Sequence, residues 1–306
     1  MDDWQLTTPV ALLIFNRPDT TAQVFESIRQ AQPSQLLVIA DGPRGDRPGE
    51  AEKCAATRQI IDRVDWDCQV LKHYSDINLG CKWRVSSGID WVFDTVEEAI
   101  ILEDDCLPNQ SFFRYCQELL TEYRDDPRVM HIAGSNEGIT GQNLHESYYF
   151  SRRTHIWGWA TWRRAWQAYY DVDMKLWPEL KQTQKLAELI GNKRESSVKT
   201  QIFDLVYEDQ IDTWDHQWNF ACIYHQSSSI VPNRNLVSNI GFGHQEATHT
   251  IHPSSFGDLP RHELDFPMIH PQIFKQDVEA DDQYFEARQN NQVKSLLNAD
   301  ELAEWV

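Results

Sequence analysis

Short apolar runs alternate with amphipathic segments along the first half of the chain. Each apolar run has the length of a strand, and the segment after it carries apolar residues at helical spacing. Near-continuous apolar strands that alternate with helices are typical of a parallel sheet that is buried on both faces. We therefore predict an α/β fold with a mostly parallel central sheet flanked by helices. The predicted strands cover residues 10–15, 36–40, 69–71, 99–102 and 129–133.

The second half of the chain has a less regular pattern. Residues 154–170 are rich in tryptophan, and several prolines follow position 251. Helical spacing recurs in separate stretches, and one short apolar run has strand length. The predicted helices lie near 184–190, 197–208, 214–225 and 280–297, and the predicted strand lies at 229–232.

Charge and the N-terminal sequence argue against several classes of protein. Aspartate and glutamate number 47 against 28 lysine and arginine residues, which gives a formal net charge of −19. This excess argues against a broad nucleic-acid surface and against docking on anionic lipid, because both need basic residues. The chain has no basic and apolar leader, and no apolar run approaches the roughly 18 residues of a membrane span. We therefore expect a cytoplasmic protein without a signal peptide or a transmembrane segment.

Three carboxylates follow the predicted strand at 99–102. Glu103, Asp104 and Asp105 come directly after it and precede a proline turn. Grouping them at a strand end costs like-charge repulsion, which a divalent cation would relieve. Oxygen ligands suit Mg²⁺ or Mn²⁺, so this run is a candidate metal site. The alternative is an acidic loop that caps the following helix.

Asp215 is a candidate general base. It stands in the run T-W-D-H-Q-W, between two tryptophans. An aromatic setting would desolvate the carboxylate, which favours proton uptake. The alternative is that Asp215 is the N-cap of the helix predicted near 214–225.

A glycine-rich segment at 241–250 carries two histidines, His244 and His249. One imidazole could complete a metal site begun by Asp105, and the alternative is an ordinary loop histidine. The glycines match neither a dinucleotide-binding fingerprint nor a P-loop. This weighs against a Rossmann dehydrogenase or a P-loop enzyme.

Tryptophans and scattered basic residues complete the candidate chemistry. Exposed tryptophan faces bind sugar rings, although most residues of the run 157–162 are expected to pack a core. Gly158 between two tryptophans suggests a close backbone approach. Basic residues near the predicted strand ends could together bind a diphosphate or a uracil ring, or each could be a solvated charge. They are Arg17, Arg44, Lys82 and Arg84.

The order of the motifs resembles that of GT-A glycosyltransferases. The motifs are F-N-R-P, D-G-P-R, N-L-G-C-K, I-L-E-D-D, I-W-G-W-A-T-W, W-D-x-Q-W and G-F-G with A-T-H-T. They are similar to those of bacterial sugar-nucleotide transferases near glycosyltransferase family 2 and of the α-mannoside N-acetylglucosaminyltransferase family. The resemblance covers residues 8–250. It implies a GT-A (Rossmann-like, nucleotide-diphospho-sugar transferase) catalytic domain over 1–250, with a donor half at about 8–135 and an acceptor half at about 136–250. A C-terminal extension follows at 251–306.

The resemblance also implies roles for particular residues. It places Glu103 near the ribose, Asp104 near the donor sugar, Arg17 near the uridine and Asp41 near the uracil. Asp215 would be the base, although His216 stands where the mannoside enzymes have an acidic residue. The metal would be held by Asp105 and His249. The predicted donor site consists of Asn16, Arg17, Asp41, Gly42, Lys82, Glu103 and Asp104, and the predicted acceptor site of Trp157, Gly158 and Trp159.

The expected function follows from this resemblance. It is transfer of a sugar from a nucleotide-diphosphate sugar, such as a UDP-sugar, to a hydroxyl of a glycan or another small acceptor. We expect inversion at the sugar, because one candidate base and no candidate nucleophile are visible. The expected cofactor is Mn²⁺ or Mg²⁺. Two alternatives stay open: a metal-dependent nucleotidyltransferase or phosphohydrolase, and a sugar-binding protein without turnover.

Overall fold

The computed structural model describes residues 4–247 and 254–296, with side chains described up to residue 289. The strands are β1 (Val10–Ile14), β2 (Gln35–Ala40), β3 (Gln69–Tyr74), β4 (Glu98–Glu103), β5 (Cys106–Pro108), β6 (Val129–Ala133), β7 (Tyr148–Ser151), β8 (Trp159–Trp162), β9 (Ser228–Pro232) and β10 (Val237–Asn239). The helices are α1 (Pro18–Ala31), α2 (Glu50–Ile60), α3 (Gly80–Thr95), α4 (Gln110–Glu122), α5 (Arg163–Tyr169), α6 (Trp177–Thr183), α7 (Leu186–Ile190), α8 (Lys193–Tyr207), α9 (Asp215–Tyr224) and α10 (Val278–Leu296). A short 3₁₀ turn, Ile61–Arg63, follows α2.

Eight strands form one sheet in the spatial order β3, β2, β1, β4, β8, β6, β9, β7. The first four strands of that order pair in parallel, as do β6 and β9. β8 runs antiparallel between β4 and β6, and β7 is antiparallel to β9 at the edge. The predicted α/β fold with a mostly parallel central sheet is therefore confirmed. The remaining pair, β5 and β10, forms a separate antiparallel ribbon.

Helices cover both faces of this sheet. Leu12 and Val38 point into one apolar core with residues of α1 and α4, whereas Leu13 and Ile39 point into a second core with residues of α3. Successive residues of a strand face opposite sides, so a strand between two helical layers must be apolar at every position. This is why β1 and β2 are nearly continuous apolar runs.

The tryptophan-rich residues 154–170 form β8 and α5, which the sequence pattern did not predict. Trp159 is 0% exposed and packs in the second core. Its ring stacks on those of Trp214 at 5.6 Å and His131 at 5.1 Å. The prediction that Trp159 binds acceptor is therefore wrong, because its ring reaches no surface on which a sugar could stack. β7 and the short strands β5 and β10 were not predicted either.

The described part of the C-terminal extension packs on the same body. Leu264 and Met268 are buried in the first core, and Gln276 forms a parallel bridge with Phe150 of β7. In α10, Asp281 accepts a hydrogen bond from the backbone N of Arg152 at 3.1 Å. Residues 254–296 thus cover the β7 edge of the sheet. Nowhere in 4–247 or 254–296 is there a helix both long and apolar enough to cross a membrane.

Candidate active site

The carboxyl ends of β1, β2 and β4 meet at one edge of the sheet, because β1 pairs in parallel with the other two. Open α/β sheets bind their ligands at this edge. The structure therefore brings together most of the predicted donor and metal residues. They are Asn16, Arg17, Asp41, Gly42, Glu103, Asp104 and Asp105.

Arg17 lies between two of the carboxylates. Its guanidinium contacts Asp104, and its Nη1 lies 3.0 Å from Oδ2 of Asp105. Both aspartates are buried. Burial would lower the pKa of Arg17, but the two carboxylates raise it well above its ordinary value. The edge of the sheet therefore holds a permanent cation against the acidic run.

Three carboxylates lie together at this edge, and two of them, Asp104 and Asp105, contact the Arg17 guanidinium. Burial, together with Asp105 and Asp104, raises the pKa of Glu103 to about 8. Burial also raises the pKa of Asp104, although Arg17 opposes the shift. A further cation at this edge would lower the cost of keeping all three ionised.

The two aspartates fit one kind of metal site. Within 4–247 and 254–296, no group of three or more His, Cys, Asp or Glu side chains is arranged to hold a metal ion. Magnesium commonly binds one or two carboxylates and takes its other ligands from water and substrate phosphates. Asp104 and Asp105 match that donor set, rather than a cage built from protein alone. The other predicted ligand, His249, lies outside the described residues.

Segment 240–247 lies beside the acidic run because β10 pairs with β5. The backbone N of Ile240 donates to the carbonyl of Asp105 at 2.8 Å. A Cβ on Gly241 would overlap the Asp105 carboxylate and lie 2.8 Å from Nη1 of Arg17, so a side chain here would displace these two groups. Further contacts of the segment join His244 to Asp19, and Glu246 to Asn16 and Lys53.

Asp41 anchors a neighbouring turn. Its carboxylate accepts hydrogen bonds from the backbone N of Leu79 at 3.0 Å and of Gly80 at 3.2 Å. The side-chain amide of Asn78 and the backbone N of Gly42 donate to it as well. A Cβ on Gly42 would overlap the backbone of the same turn. Asp41 and Gly42 thus fix the 78–80 turn beside the site, and the predicted contact of Asp41 with uracil stays a prediction.

Asn16 has one amide atom bonded and one without a partner. Its Nδ2 donates to Oε1 of Glu50 at 3.0 Å, and Glu50 is paired with Arg44. Its Oδ1 is buried and makes no hydrogen bond within the described structure. A buried acceptor of this kind costs free energy until a donor reaches it. Asn16 therefore keeps a buried acceptor atom at this edge that no donor within the described residues reaches.

Asp215 is the first residue of α9, and Trp214 occupies the N-cap position. The interpretation of Asp215 as an N-cap is therefore wrong. The Thr213 hydroxyl donates to Oδ1 of Asp215, whose side chain is 26% exposed. Burial and the two aspartates contribute most to the raised pKa of Glu103, and Asp215 makes a smaller contribution in the same direction. Asp215 is thus close enough to the acidic run to act on it electrostatically.

Trp157 and Gly158, the other two residues of the predicted acceptor site, are not excluded in the way that Trp159 is. Trp157 is partly exposed, and its ring lies 5.5 Å from that of Phe242. Gly158 has a φ of +64°, and a Cβ there would lie 2.8 Å from Cγ2 of Val237. The close backbone approach expected at Gly158 is confirmed. Lys82, predicted to bind donor, places its ammonium against Asp209 instead.

A buried ionic network lies beside Trp157 and was not predicted from the sequence. Glu137 follows β6. Its carboxylate forms hydrogen bonds with His155 at 2.8 Å, with Tyr284 at 3.2 Å and with Arg288. Burial would raise the pKa of Glu137, but Arg288 and His155 lower it to about 2. The Arg288 guanidinium also lies 5.6 Å from the Trp157 ring. No local pattern signals these contacts, because α10 supplies two of the partners from far along the chain.

Lys199 of α8 was also missed. Its Nζ donates to Oδ1 of Asn219 at 2.6 Å. Burial and the nearby Arg153 lower its pKa to about 8, against the opposing effects of Glu195 and Asp215. A cation therefore lies on the same side of the molecule as Asp215.

Comparisons with known proteins leave the family open. No family model and no curated protein matches the chain. A UDP-glucose pyrophosphorylase complexed with UDP-glucose is 11% identical over 47% of this chain and 62% of its own, with a TM-score of 0.26. A 4-diphosphocytidyl-2C-methyl-D-erythritol synthase from Anaerococcus prevotii is 8% identical over 51% and 72%, with a TM-score of 0.31. The galactosyltransferase LgtC, in complex with donor and acceptor sugar analogues, is 10% identical over 58% and 66%, with a TM-score of 0.33. The chain thus spans less than two thirds of the first of these structures.

Proposed function

We propose that the protein is a glycosyltransferase that moves a sugar from a nucleotide-diphosphate sugar to a hydroxyl of a glycan or a small acceptor. One observation carries the proposal. The run Glu103, Asp104 and Asp105 lies at the carboxyl end of β4, where Asp104 and Asp105 contact Arg17, and Asp215 contributes to the raised pKa of Glu103. A cation-binding edge and a carboxylate beside it are the two parts that such a transfer needs.

The donor lies along the ends of β1, β2 and β4 in this proposal. Asn16 supplies its free acceptor atom, and the Arg17 guanidinium binds the diphosphate. The Mn²⁺ or Mg²⁺ that we propose as cofactor would be held by Asp105, with water and phosphate oxygens as its other ligands. Such an ion, when bound, neutralises charge that develops on the phosphate oxygens.

The transfer is a single displacement. The acceptor oxygen forms a bond to the anomeric carbon, and the bond from that carbon to the diphosphate oxygen breaks with both electrons going to the nucleotide. Arg17 stabilises the developing negative charge because it is fixed and ionised before the reaction begins. Asp215 takes the proton of the acceptor hydroxyl. Because the acceptor oxygen attacks the anomeric carbon directly, on the side opposite the leaving diphosphate, the sugar is inverted.

The acceptor binds on the Trp157 side. Trp157 keeps part of its ring exposed, whereas Trp159 is fully buried. An aromatic face that is open to solvent can pack against the C–H face of a sugar. We therefore assign acceptor binding to Trp157, with Gly158 setting the backbone behind it.

The test is product release from a panel of UDP-sugars with Mn²⁺ and a screen of glycan acceptors. A glycosyltransferase releases UDP when an acceptor is present. Release of UMP and sugar 1-phosphate would indicate a phosphohydrolase, and formation of UTP when pyrophosphate is added would indicate a nucleotidyltransferase. Binding without any product would indicate a sugar-binding protein. Asp215→Asn should lower transfer by about 10²–10⁴-fold at unchanged UDP affinity, the usual contribution of a general base. Wild-type transfer by Asp215→Asn would contradict the role of Asp215.

A further inference from the structure

Residues 209–213 connect α8 to α9 and reach back to the donor half; we call them the connector. Asp212 accepts hydrogen bonds from the backbone N of Cys81 at 3.0 Å and from that of Lys82 at 2.9 Å. Both N–H groups belong to the first turn of α3, where an α-helix leaves its donors without partners of its own. The acceptor comes from 130 residues further along the chain. Asp212 is thus a helix cap supplied by a distant segment.

A second contact joins the same two elements. The Lys82 ammonium contacts the carboxylate of Asp209. The Lys82 side chain is 8% exposed and that of Asp209 is 74% exposed, so the pair lies where buried structure meets solvent. The connector is therefore bound to α3 by a backbone cap at Asp212 and by an ion pair at Asp209.

The close approach of Asp212 to α3 depends on glycine. Gly80 has a φ of +79°, and a Cβ there would lie 2.9 Å from Oδ2 of Asp212. The backbone N of Gly80 donates to Asp41 on the other side of the same turn. Two carboxylates, Asp41 from β2 and Asp212 from the connector, thus hold the 78–80 turn and the start of α3 together.

The other end of the connector leads to the proposed base. Thr213 follows Asp212 directly, and its hydroxyl donates to Oδ1 of Asp215. Ile211 and Trp214, on either side of Asp212 and Thr213, are buried in two different apolar cores. A shift of Asp212 therefore carries Thr213, and with it the Asp215 carboxylate.

We propose that Asp212 is a positioning residue that holds Asp215 against the donor half through the N-terminus of α3. The proposal rests on the proposed function, because it takes Asp215 as the base. Asp212 touches no reacting atom. It acts by fixing the place of the Asp215 carboxylate relative to a donor bound at the ends of β1, β2 and β4. A misplacement of about 1 Å can cost about 10²-fold in rate.

The experiment compares Asp212→Ala and Asp212→Asn with Asp171→Asn. Asp171 is a matched control, since it also accepts bonds from two backbone N–H groups, those of Asp173 and Lys175, in the loop that follows α5. For each variant we would measure UDP affinity by calorimetry, the melting temperature, and kcat and KM for the donor. We expect Asp212→Ala to lower kcat by about 10- to 100-fold with UDP affinity and donor KM nearly unchanged. Asp212→Asn keeps one acceptor oxygen and should fall between Asp212→Ala and the control.

Three outcomes would overturn the proposal. One is wild-type kcat in Asp212→Ala, and another is a loss that appears in donor KM alone. The third outcome is used if Asp212→Ala does not fold. In that case, a kcat of Asp212→Asn that equals the kcat of Asp171→Asn would overturn the proposal. Asp215→Asn is measured in parallel to separate the two hypotheses. If Asp215→Asn transfers at the wild-type rate, the proposed base is wrong; if only the Asp212 variants do, the base stands and the positioning role is wrong.

Discussion

Arg17, after β1, and Asp105, after β4, form an ion pair in which Nη1 and Oδ2 are 3.0 Å apart. The same guanidinium contacts Asp104. A cation is therefore built into the edge of the sheet where the sequence predicts a metal ion. We expect Arg17 to matter for stability as well as for ligand binding.

Replacing Arg17 by glutamine should lower the free energy of unfolding by about 3 kcal/mol, because it leaves two buried carboxylates without their cation. Urea denaturation measures the loss. The double variant with Arg17→Gln and Asp104→Asn should recover part of it, since one of the unpaired charges is removed. An equal free energy of unfolding for the wild type and Arg17→Gln would show that the ion pairs of Arg17 with Asp104 and Asp105 do not stabilise the fold.

Asp105 should couple metal binding to nucleotide binding. If a divalent ion bridges Asp105 and the diphosphate, UDP with Mn²⁺ should raise the melting temperature more than the two separate effects added together. Asp105→Asn should remove this excess and lower transfer by about 10²-fold or more. Full activity of the wild type in EDTA would rule out the metal.

The two tryptophans on either side of Gly158 should respond differently to truncation. Trp159→Ala removes a fully buried ring and should cost about 3–5 kcal/mol of stability. Trp157→Ala should change stability much less and should raise the KM for the acceptor. The check is a melting curve together with acceptor kinetics for both variants, and a stability loss at Trp157 as large as that at Trp159 would contradict the assignment.

Glu137 should make folding sensitive to acid. Burial would raise its pKa, but Arg288 and His155 lower it from 4.5 to about 2 in the folded protein. A carboxylate with a lowered folded pKa stabilises the protein above its unfolded pKa, and this contribution is lost as the pH falls from about 4.5 toward 2. Between pH 7 and pH 3, the free energy of unfolding should therefore fall more steeply for the wild type than for Glu137→Gln, by roughly 1–2 kcal/mol. Parallel pH profiles of the two proteins would contradict this.

The sequence predicted the elements that are apolar at every position and missed those whose environment depends on distant partners. β1 and β4 stand out because both faces of each strand are buried against helices. β8 does not, because a run of tryptophan, alanine and threonine suits a core, a surface or a binding site equally. Trp159 is the first residue of β8 and Trp157 precedes that strand. The point at which β8 begins depends on its pairing with β4 and β6, which the local sequence does not show.

For the candidate site, the acidic run was predictable because carboxylates directly after an apolar strand have few structural uses. The hydrogen bonds between Asp212 and the first turn of α3 were not predictable. Helix caps are ordinarily supplied by the residue next to the helix, and this one comes from the other half of the chain. The network around Glu137 is of the same kind, since α10 completes it.

The position of β8 limits how the gene could be divided. β8 occupies the edge of β4 in register, Ile100 opposite Ala160, and on its other side it bonds to β6. A fragment that ends at residue 135 would contain β4 and β6 without the strand that joins them. The apolar edge of β4 would then be open to any other chain in the cell. We expect such a fragment to aggregate when expressed alone, so the first 135 residues are not a unit that could be inherited or exchanged by itself.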